Sequence, residues 1–169
     1  MIKKSINLWV SPEGRDIYDI ISIIKDAGFD AVEPNLDETG YLSLESTERD
    51  IENFRNHVEK TGLKIASISS GLLWKYTLSS PDSEVRKKAE SVLKKQIECA
   101  KILGTDGILV IPGVVQADWA GQKEIVSYDI VWERTFQSLK NVIPYAQKNN
   151  VCLCLEPVWN KFLVSPIEM

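Results

Sequence analysis

The sequence predicts an α/β fold, namely a partial (β/α) TIM barrel of five strand–helix units. Short, nearly continuous apolar runs alternate with segments of helical apolar periodicity, and glycine, proline or capping residues separate them. Strands that are apolar on both faces are typical of a parallel sheet that helices cover. The five predicted strands span residues 5–10, 29–36, 63–70, 107–111 and 151–155.

Helical signals follow the first two strands. From Ile17, isoleucines recur at spacings of three, four and seven residues, which places them on one helix face, and Gly28 is a suitable residue to end that helix. Thr47 and Asp50 have the spacing of a capping box for the second helix. Both segments therefore read as amphipathic helices packed on the sheet.

The later strands are also followed by predicted helices. Ser80, with Pro81 at the first helical position, is predicted to open a long helix that ends at Gly104. Ser127 is predicted to open the next helix, and Ser165-Pro166 has the pattern of one more helix start. The strand–helix unit thus recurs along the whole sequence.

The number of strand–helix units and the first turn favour a partial barrel over a closed barrel or a doubly wound sheet. A closed barrel needs eight units and about 250 residues, whereas these 169 residues supply five. The turn after the first strand lacks the G-x-G-x-x-G motif that a doubly wound, dinucleotide-binding sheet usually carries. Because no linker divides residues 1–169, we expect one domain that forms the N-terminal portion of a barrel.

Composition excludes several classes of protein. The net charge is −4, and basic residues occur only in short pairs, so neither nucleic acid nor an anionic membrane surface is an expected partner. The N-terminal apolar stretch is too short for a signal peptide or a membrane span, which predicts a cytoplasmic location. Cys99, Cys152 and Cys154 are expected to be reduced thiols, the last two as small core residues.

Two carboxylates follow predicted strands, at the end of a β/α barrel where reactive groups lie. Glu156 comes directly after the apolar run 151–155, where a carboxylate is costly unless it is hydrogen-bonded, neutralised or bound to a cation. A divalent metal ion and an ordinary salt bridge or capped turn both satisfy that requirement. The same argument applies more weakly to Glu33, for which we expect pairing with a neighbouring Lys or Arg rather than a metal-ligand role.

Aromatic and basic residues near the predicted carboxyl ends of the strands have both functional and structural interpretations. Lys75 and Lys161 lack a glycine-rich loop beside them and are expected on solvated surface. His57, the only histidine, is expected on the flank of the second helix. The faces of four tryptophans are suited to a sugar pocket, although loop packing explains each equally well: Trp9, Trp74, Trp119 and Trp159.

Residues 151–169, VCLCLEPVWNKFLVSPIEM, carry a family resemblance. Glu156, the run Val158-Trp159-Asn160-Lys161-Phe162 and Ser165-Pro166 resemble the sugar phosphate isomerase/epimerase family of the xylose isomerase-like barrel superfamily. That family includes hexulose-6-phosphate isomerases and tagatose 3-epimerases. Residues 27–33 and 100–107 are looser matches, and the resemblance covers only the N-terminal part of the family's fold.

The resemblance implies a metal-dependent reaction. Members hold a divalent ion, often manganese, with two glutamates, an aspartate and a histidine, and Glu156 matches the first ligand. The same glutamate is implied to move a proton beside a ketose carbonyl, through an enediolate. Glu33 matches a strand-two glutamate for which we expect a polar role near the substrate, and Trp9, Trp159 and Asn160 are expected to line the sugar site.

Because the family's other ligands lie on later strands, we expect these residues to be an incomplete, inactive part of a sugar or sugar-phosphate isomerase or epimerase, with weak or absent metal binding. A rival interpretation is a non-catalytic half-barrel whose open strand edges pair with a second copy or with a chain that completes the barrel. An enzyme similar to endonuclease IV is a weaker alternative, because one histidine and a net charge of −4 supply neither a histidine-rich metal cluster nor a basic DNA face.

Overall fold

The computed structural model describes residues 2–12 and 14–169, which form alternating strands and helices, as the sequence predicts. The strands are β1 (Ser5–Asn7), β2 (Ala31–Glu33), β3 (Lys64–Ile65), β4 (Gly107–Val110) and β5 (Cys152–Leu155). The α-helices are α1 (Ile17–Asp26), α2 (Glu48–Lys60), α3 (Leu72–Lys75), α4 (Ser83–Leu103) and α5 (Tyr128–Asn149). The short helix α3 is an addition that the sequence did not predict.

All five described strands are parallel and follow one another in chain order. One sheet has the order β1-β2-β3 and the other β4-β5. Beyond β3, Ile68 pairs with Ile108 of β4, and the Leu109 N–H donates to the Ile68 carbonyl at 2.8 Å, which joins the two sheets. This order without reversal confirms the predicted partial barrel and differs from that of a doubly wound sheet.

The core lies between the strands and the helices. Val32 of β2 and Ile108 of β4 are fully buried against helix residues that include Ile21 and Phe54. Because successive side chains of a strand point to opposite faces, Glu33 belongs to the other side of the sheet. We call that side, opposite the helices, the inner face.

Some helix ends agree with the local sequence signals. The capping box of α2 is present: Thr47 Oγ1 accepts the Asp50 N–H, and the Asp50 carboxylate accepts the Thr47 N–H at 2.9 Å. Ser127 is the N-cap residue of α5, and Gly104 ends α4 with a left-handed φ of 76°. In the described part of the chain, no helix combines the length and the apolar character that crossing a bilayer requires.

The start of α4 was predicted two residues too early. Asp82, not Ser80, is the N-cap residue, because the Asp82 carboxylate accepts the Glu84 N–H at 2.8 Å. Ser80 Oγ instead accepts the Asp82 N–H at 3.2 Å, in the turn before the helix. Ser165 likewise opens a turn, closed by the Glu168 N–H, rather than a helix in the described residues.

The strands are shorter than predicted. β1 ends at Asn7 because the Asn7 side chain accepts the Trp9 N–H at 2.7 Å and starts a 3-10 turn at Leu8–Val10. Beyond β2 and β3, regular pairing gives way to an isolated bridge between Asn35 and Ser69. Side-chain hydrogen bonds at these positions compete with the strand ladder.

The cysteine predictions were correct in part. All three cysteines are free thiols, and Cys99 is fully buried in α4, where desolvation raises the pKa of its thiol to about 12. The expectation that Cys152 and Cys154 are core residues was wrong, because both are exposed. Leu153 and Leu155 take the face of β5 beside α5, and alternation therefore leaves the two cysteines on the inner face.

Candidate functional site

Polar side chains from the first three strands meet at the carboxyl ends of those strands. Asn7 Nδ2 donates to Glu33 Oε2 at 2.5 Å and to Ser69 Oγ at 2.8 Å, while Ser67 Oγ donates to Glu33 Oε1 at 2.6 Å. Asn35 Nδ2 donates to Asn7 Oδ1 at 3.2 Å, and Asn35 Oδ1 accepts from Ser69. We call these five residues the Asn7–Glu33 network.

Neutral donors, not a cation, hold Glu33 in this network. The predicted pairing with Lys or Arg is therefore wrong for the part of the chain that the structure describes. Each carboxylate oxygen accepts one hydrogen bond, and an ionised carboxylate has further lone pairs for hydroxyl donors. Glu33 is thus a fixed, half-buried acceptor at the end of β2.

Glu156 lies at the corresponding end of β5. Its N–H donates to the Val110 carbonyl at 3.0 Å, which continues the β4–β5 pairing by one residue. Alternation along β5 assigns Glu156 to the inner face, together with Cys152 and Cys154. The residue is exposed, so its carboxylate is accessible from solvent; its roles as metal ligand and base stay predictions.

Three tryptophans form a contiguous group, which we call the tryptophan platform: Trp74, Trp119 and Trp159. The ring centroids of Trp74 and Trp119 lie 4.5 Å apart, and those of Trp119 and Trp159 lie 6.0 Å apart. These residues come from the segments that follow β3, β4 and β5. Trp119 is 57% exposed and Trp159 is 75% exposed, so both rings are accessible to a ligand.

Trp9 lies on a neighbouring loop rather than within the platform. Its indole is beside the start of α3, since a Cβ added at Gly71 would lie 3.8 Å from Trp9 Cζ2. The Trp9 N–H donates to Asn7 Oδ1, so the loop that carries the ring is joined to the Asn7–Glu33 network. Trp9 is 56% exposed, and its predicted contact with substrate stays a prediction.

Asn160 is fully buried and holds the loops after β4 and β5 together. Its Nδ2 donates to the Gly113 carbonyl, and its Oδ1 accepts the Phe162 N–H at 3.1 Å. Its own carbonyl accepts the Val115 N–H at 3.0 Å. These contacts show a positioning role for Asn160, and its predicted contact with substrate stays a prediction.

Lys75 and Lys161 are exposed, as expected, and each has a specific partner. Lys75 Nζ lies 2.8 Å from both carboxylate oxygens of Glu38, and the hydrogen bond from Lys75 lowers the pKa of Glu38. Lys161 Nζ donates to Gln116 Oε1 at 2.6 Å. Local sequence did not reveal these partners, because both contacts join different loops.

The histidine lies away from the strand ends. His57 belongs to α2, as predicted, and its ring centroid is 4.2 Å from that of Tyr18 on α1. Within residues 2–12 and 14–169, no three His, Cys, Asp or Glu side chains are grouped so as to hold a metal ion.

The sequence interpretation missed Asn7 and Ser67 as site residues. Asn7 fell inside the predicted first strand, and Ser67 fell inside the third, where neither marks a strand end. Asn7 lies two residues after Ser5, so the alternation of side chains along a strand could have indicated which face of β1 carries Asn7. The network itself depends on pairing between strands, which single-chain periodicity does not give.

Residues 21–168 match the model of a family described as xylose isomerase-like TIM barrel. A D-psicose 3-epimerase structure determined in the presence of D-fructose is similar, with a TM-score of 0.75 and 16% identity, covering 93% of this chain and 53% of that protein. An L-ribulose 3-epimerase has a TM-score of 0.71 and 25% identity, with 94% and 50% covered. The chain thus spans about half the length of these proteins.

A third similar structure contains a metal ion. It is a xylose isomerase-like TIM barrel protein from Mycobacterium smegmatis in complex with magnesium, with a TM-score of 0.66 and 19% identity, covering 98% of this chain and 59% of that protein. No curated protein sequence matches this chain. The structural neighbours therefore include sugar epimerases and a magnesium complex on the same fold.

Proposed function

Since the chain belongs to the xylose isomerase-like TIM barrel family, we propose that it contributes one half of the catalytic site of a sugar isomerase or epimerase. The observation that carries the proposal is the position of Glu156, at the end of β5 and on the inner face that also carries Glu33. Structural neighbours named as 3-epimerases of D-psicose and L-ribulose support this reaction class.

The proposed chemistry is proton transfer beside a ketose carbonyl. Glu156 takes the proton from the carbon next to the carbonyl, and the C–H electron pair moves towards the carbonyl to give an enediolate. Return of a proton to the other face of that carbon gives the epimer, and its delivery to the former carbonyl carbon gives the isomer. Glu33, fixed by Asn7 and Ser67, accepts hydrogen bonds from sugar hydroxyls.

We propose that Glu156 also supplies one ligand to a divalent metal ion, such as manganese. Hard cations prefer oxygen ligands and usually need several of them. The described residues provide no group of three potential ligands, so the donor set on these residues does not fit a complete metal site. We therefore expect this chain alone to bind the ion weakly.

The Glu156 proposal predicts where a weakly bound ion lies. Titrating Mn²⁺ into the chain should selectively broaden NMR signals of backbone amides near Glu156, because a paramagnetic ion relaxes nearby nuclei most strongly. Glu156→Gln should remove that broadening, because the neutral amide is a poorer ligand for a hard cation than the carboxylate. The measurement is signal intensity against Mn²⁺ concentration in two-dimensional spectra.

Glu133→Gln is the matched control for this titration. Glu133 is an exposed carboxylate on α5, so its substitution removes the same charge and should leave the broadening around Glu156 intact. Broadening that is spread over all surface carboxylates, or that persists in Glu156→Gln, would show that Glu156 is not a metal ligand.

An apolar surface beside β5 favours a second candidate function, a half-barrel that self-associates. A groove of about 300 Å³ lies between α5 and β5, and its lining includes Leu139, Ile143, Leu153 and Leu155. In the described structure, β5 pairs with β4 alone, so its other edge offers backbone groups to another strand. We expect these features to favour a dimer at high protein concentration.

Analytical ultracentrifugation tests this association. The sedimentation coefficient should rise with protein concentration, and Ile143→Glu should abolish the rise because it places a charge in the apolar groove. Tyr18→Glu, at another exposed helix position, should leave the rise unchanged. A strictly monomeric chain at all concentrations would contradict the second candidate. The absence of nucleic-acid partners stays a prediction from the net charge, and a cytoplasmic location stays a prediction from the short N-terminal apolar stretch.

A further inference from the structure

A groove of about 670 Å³ lies between α4 and α5. Its lining residues belong to these two helices, so the groove is on the helix side of the sheet, opposite the inner face to which Glu33 and Glu156 belong. The lining includes Arg86 of α4 and Arg134 of α5, both half-buried. An inference from this groove goes beyond the proposed function, which concerns the strand ends.

The guanidinium groups of the two arginines converge on the turn before α4. Arg86 Nη1 donates to the Ser80 carbonyl at 2.6 Å and to the Pro81 carbonyl at 3.1 Å. Arg134 Nη1 donates to the Ser79 carbonyl at 3.3 Å. Because these carbonyls belong to three consecutive residues, the two positive charges lie close together. Ser79 and Ser80 are buried, so the turn holds both guanidinium groups in place before any ligand binds.

The charges of Arg86 and Arg134 are not neutralised by an ion pair in the described structure. Among residues 2–12 and 14–169, no carboxylate oxygen lies within 4.0 Å of either guanidinium group. The lining also contains the carboxylates of Glu90 and Glu133, and Glu90 Oε1 accepts from Asn141 Nδ2 at 3.1 Å. Two like charges held close together repel each other, and an anion bound between them relieves that repulsion.

The free donors of the two arginines match a phosphate group. A guanidinium group has five N–H donors in a planar fork, and in the described structure only Nη1 of Arg86 and of Arg134 makes a hydrogen bond. A phosphate dianion has enough oxygens and charge for two such forks, whereas a carboxylate matches one. Lys87, the other cation of the lining, is already paired with Glu84 at 2.8 Å.

We propose that the groove between α4 and α5 binds a phosphate group, held between Arg86 and Arg134. Its volume is typical of small-molecule sites, so free phosphate and a phosphate monoester of a small molecule are two sources of the same chemistry. Because one arginine belongs to each helix, the bound phosphate joins α4 to α5. A ligand that binds the folded chain alone also stabilises it.

Titration of inorganic phosphate into the purified chain, at constant ionic strength, tests the proposal. Binding is followed by the arginine Nε–H signals in two-dimensional NMR spectra. The signals of Arg86 and Arg134 should shift together and saturate, whereas that of Arg49, an exposed residue of α2, should not move. Saturating phosphate should also raise the Tm of the chain.

Glycerol 3-phosphate is the second probe and distinguishes the two sources. Affinity equal to that of inorganic phosphate would support a site that recognises phosphate itself. Tighter binding of glycerol 3-phosphate would support a site for a phosphorylated small molecule. Both results agree with the shared chemistry of Arg86 and Arg134.

Arg134→Gln should weaken phosphate binding by about tenfold, because it removes a charged donor fork. Arg134→Lys keeps the charge without the planar fork and should recover part of the affinity. Arg49→Gln is the matched control, since it removes the same charge from an exposed position on α2 and should leave the affinity unchanged. Circular dichroism of each variant reports whether the fold is retained.

Three outcomes would overturn the proposal. The first is a phosphate titration of the unsubstituted chain that does not saturate, or that shifts the arginine signals generally; this result does not depend on any variant folding. The second is an equal loss of affinity in Arg49→Gln and Arg134→Gln, which would indicate simple screening of surface charge. The third is undiminished affinity in a folded Arg134→Gln variant. None involves Glu156, so failure of this site and failure of the proposed function are distinguishable.

Discussion

Gln96→Ala is expected to lower the free energy of unfolding by about 2–4 kcal/mol. Gln96 is fully buried in α4, and its Nε2 donates to the Ile68 carbonyl at 2.8 Å and to the Leu109 carbonyl at 3.1 Å. These carbonyls lie where the β1-β2-β3 and β4-β5 sheets meet, so alanine removes both hydrogen bonds at the junction and leaves a cavity. Urea unfolding followed by circular dichroism measures the change.

Gln96→Leu separates the cavity from the hydrogen bonds. Leucine fills most of the space and donates nothing, and it also removes Gln96 Oε1, a buried acceptor without a partner in the described structure. We therefore expect a smaller loss of stability than for alanine. An unfolding midpoint for Gln96→Ala equal to that of the unsubstituted chain would show that Gln96 does not stabilise the junction.

Gly113→Ala is expected to cost about 1–3 kcal/mol through overpacking. A Cβ at this position would collide with Thr135 Oγ1 and would lie 3.0 Å from Val131 Cγ1 and 3.2 Å from Phe162 Cδ1. Because the Gly113 carbonyl also accepts from Asn160, displacement of the backbone disturbs the link between the β4 and β5 loops. Thermal unfolding reports the loss of stability.

A compensating substitution tests the cause of that loss. Thr135 is buried and its Oγ1 has no hydrogen-bond partner in the described structure, so Thr135→Ala removes the colliding atom without breaking a hydrogen bond. Gly113→Ala combined with Thr135→Ala should be more stable than the sum of the single effects predicts. Strict additivity would rule out a steric collision between these two positions.

The alternation of elements was predictable because its causes are local. Helical periodicity in α1 and the Thr47–Asp50 capping box involve residues within one or two turns of each other, and the structure confirms both. Predictions failed where two local options competed: Ser80 and Asp82 both have side chains suited to N-capping, and the hydrogen bond from Glu84 selects Asp82. The predicted end of β1 was wrong for a similar reason, because the Asn7 side chain accepts the Trp9 N–H and the strand ends there.

Apolar patterning along the chain was enough to predict the parallel α/β class, and the apolar run before Glu156 was enough to locate that residue at a strand end. Three features became visible only in the folded chain: neutral partners hold Glu33, Cys152 and Cys154 lie on the inner face, and three tryptophans meet. They could not be predicted because the residues involved are far apart in sequence. Asn7 and Ser69 are 62 residues apart, and pairing between strands brings them into contact, which no local pattern encodes.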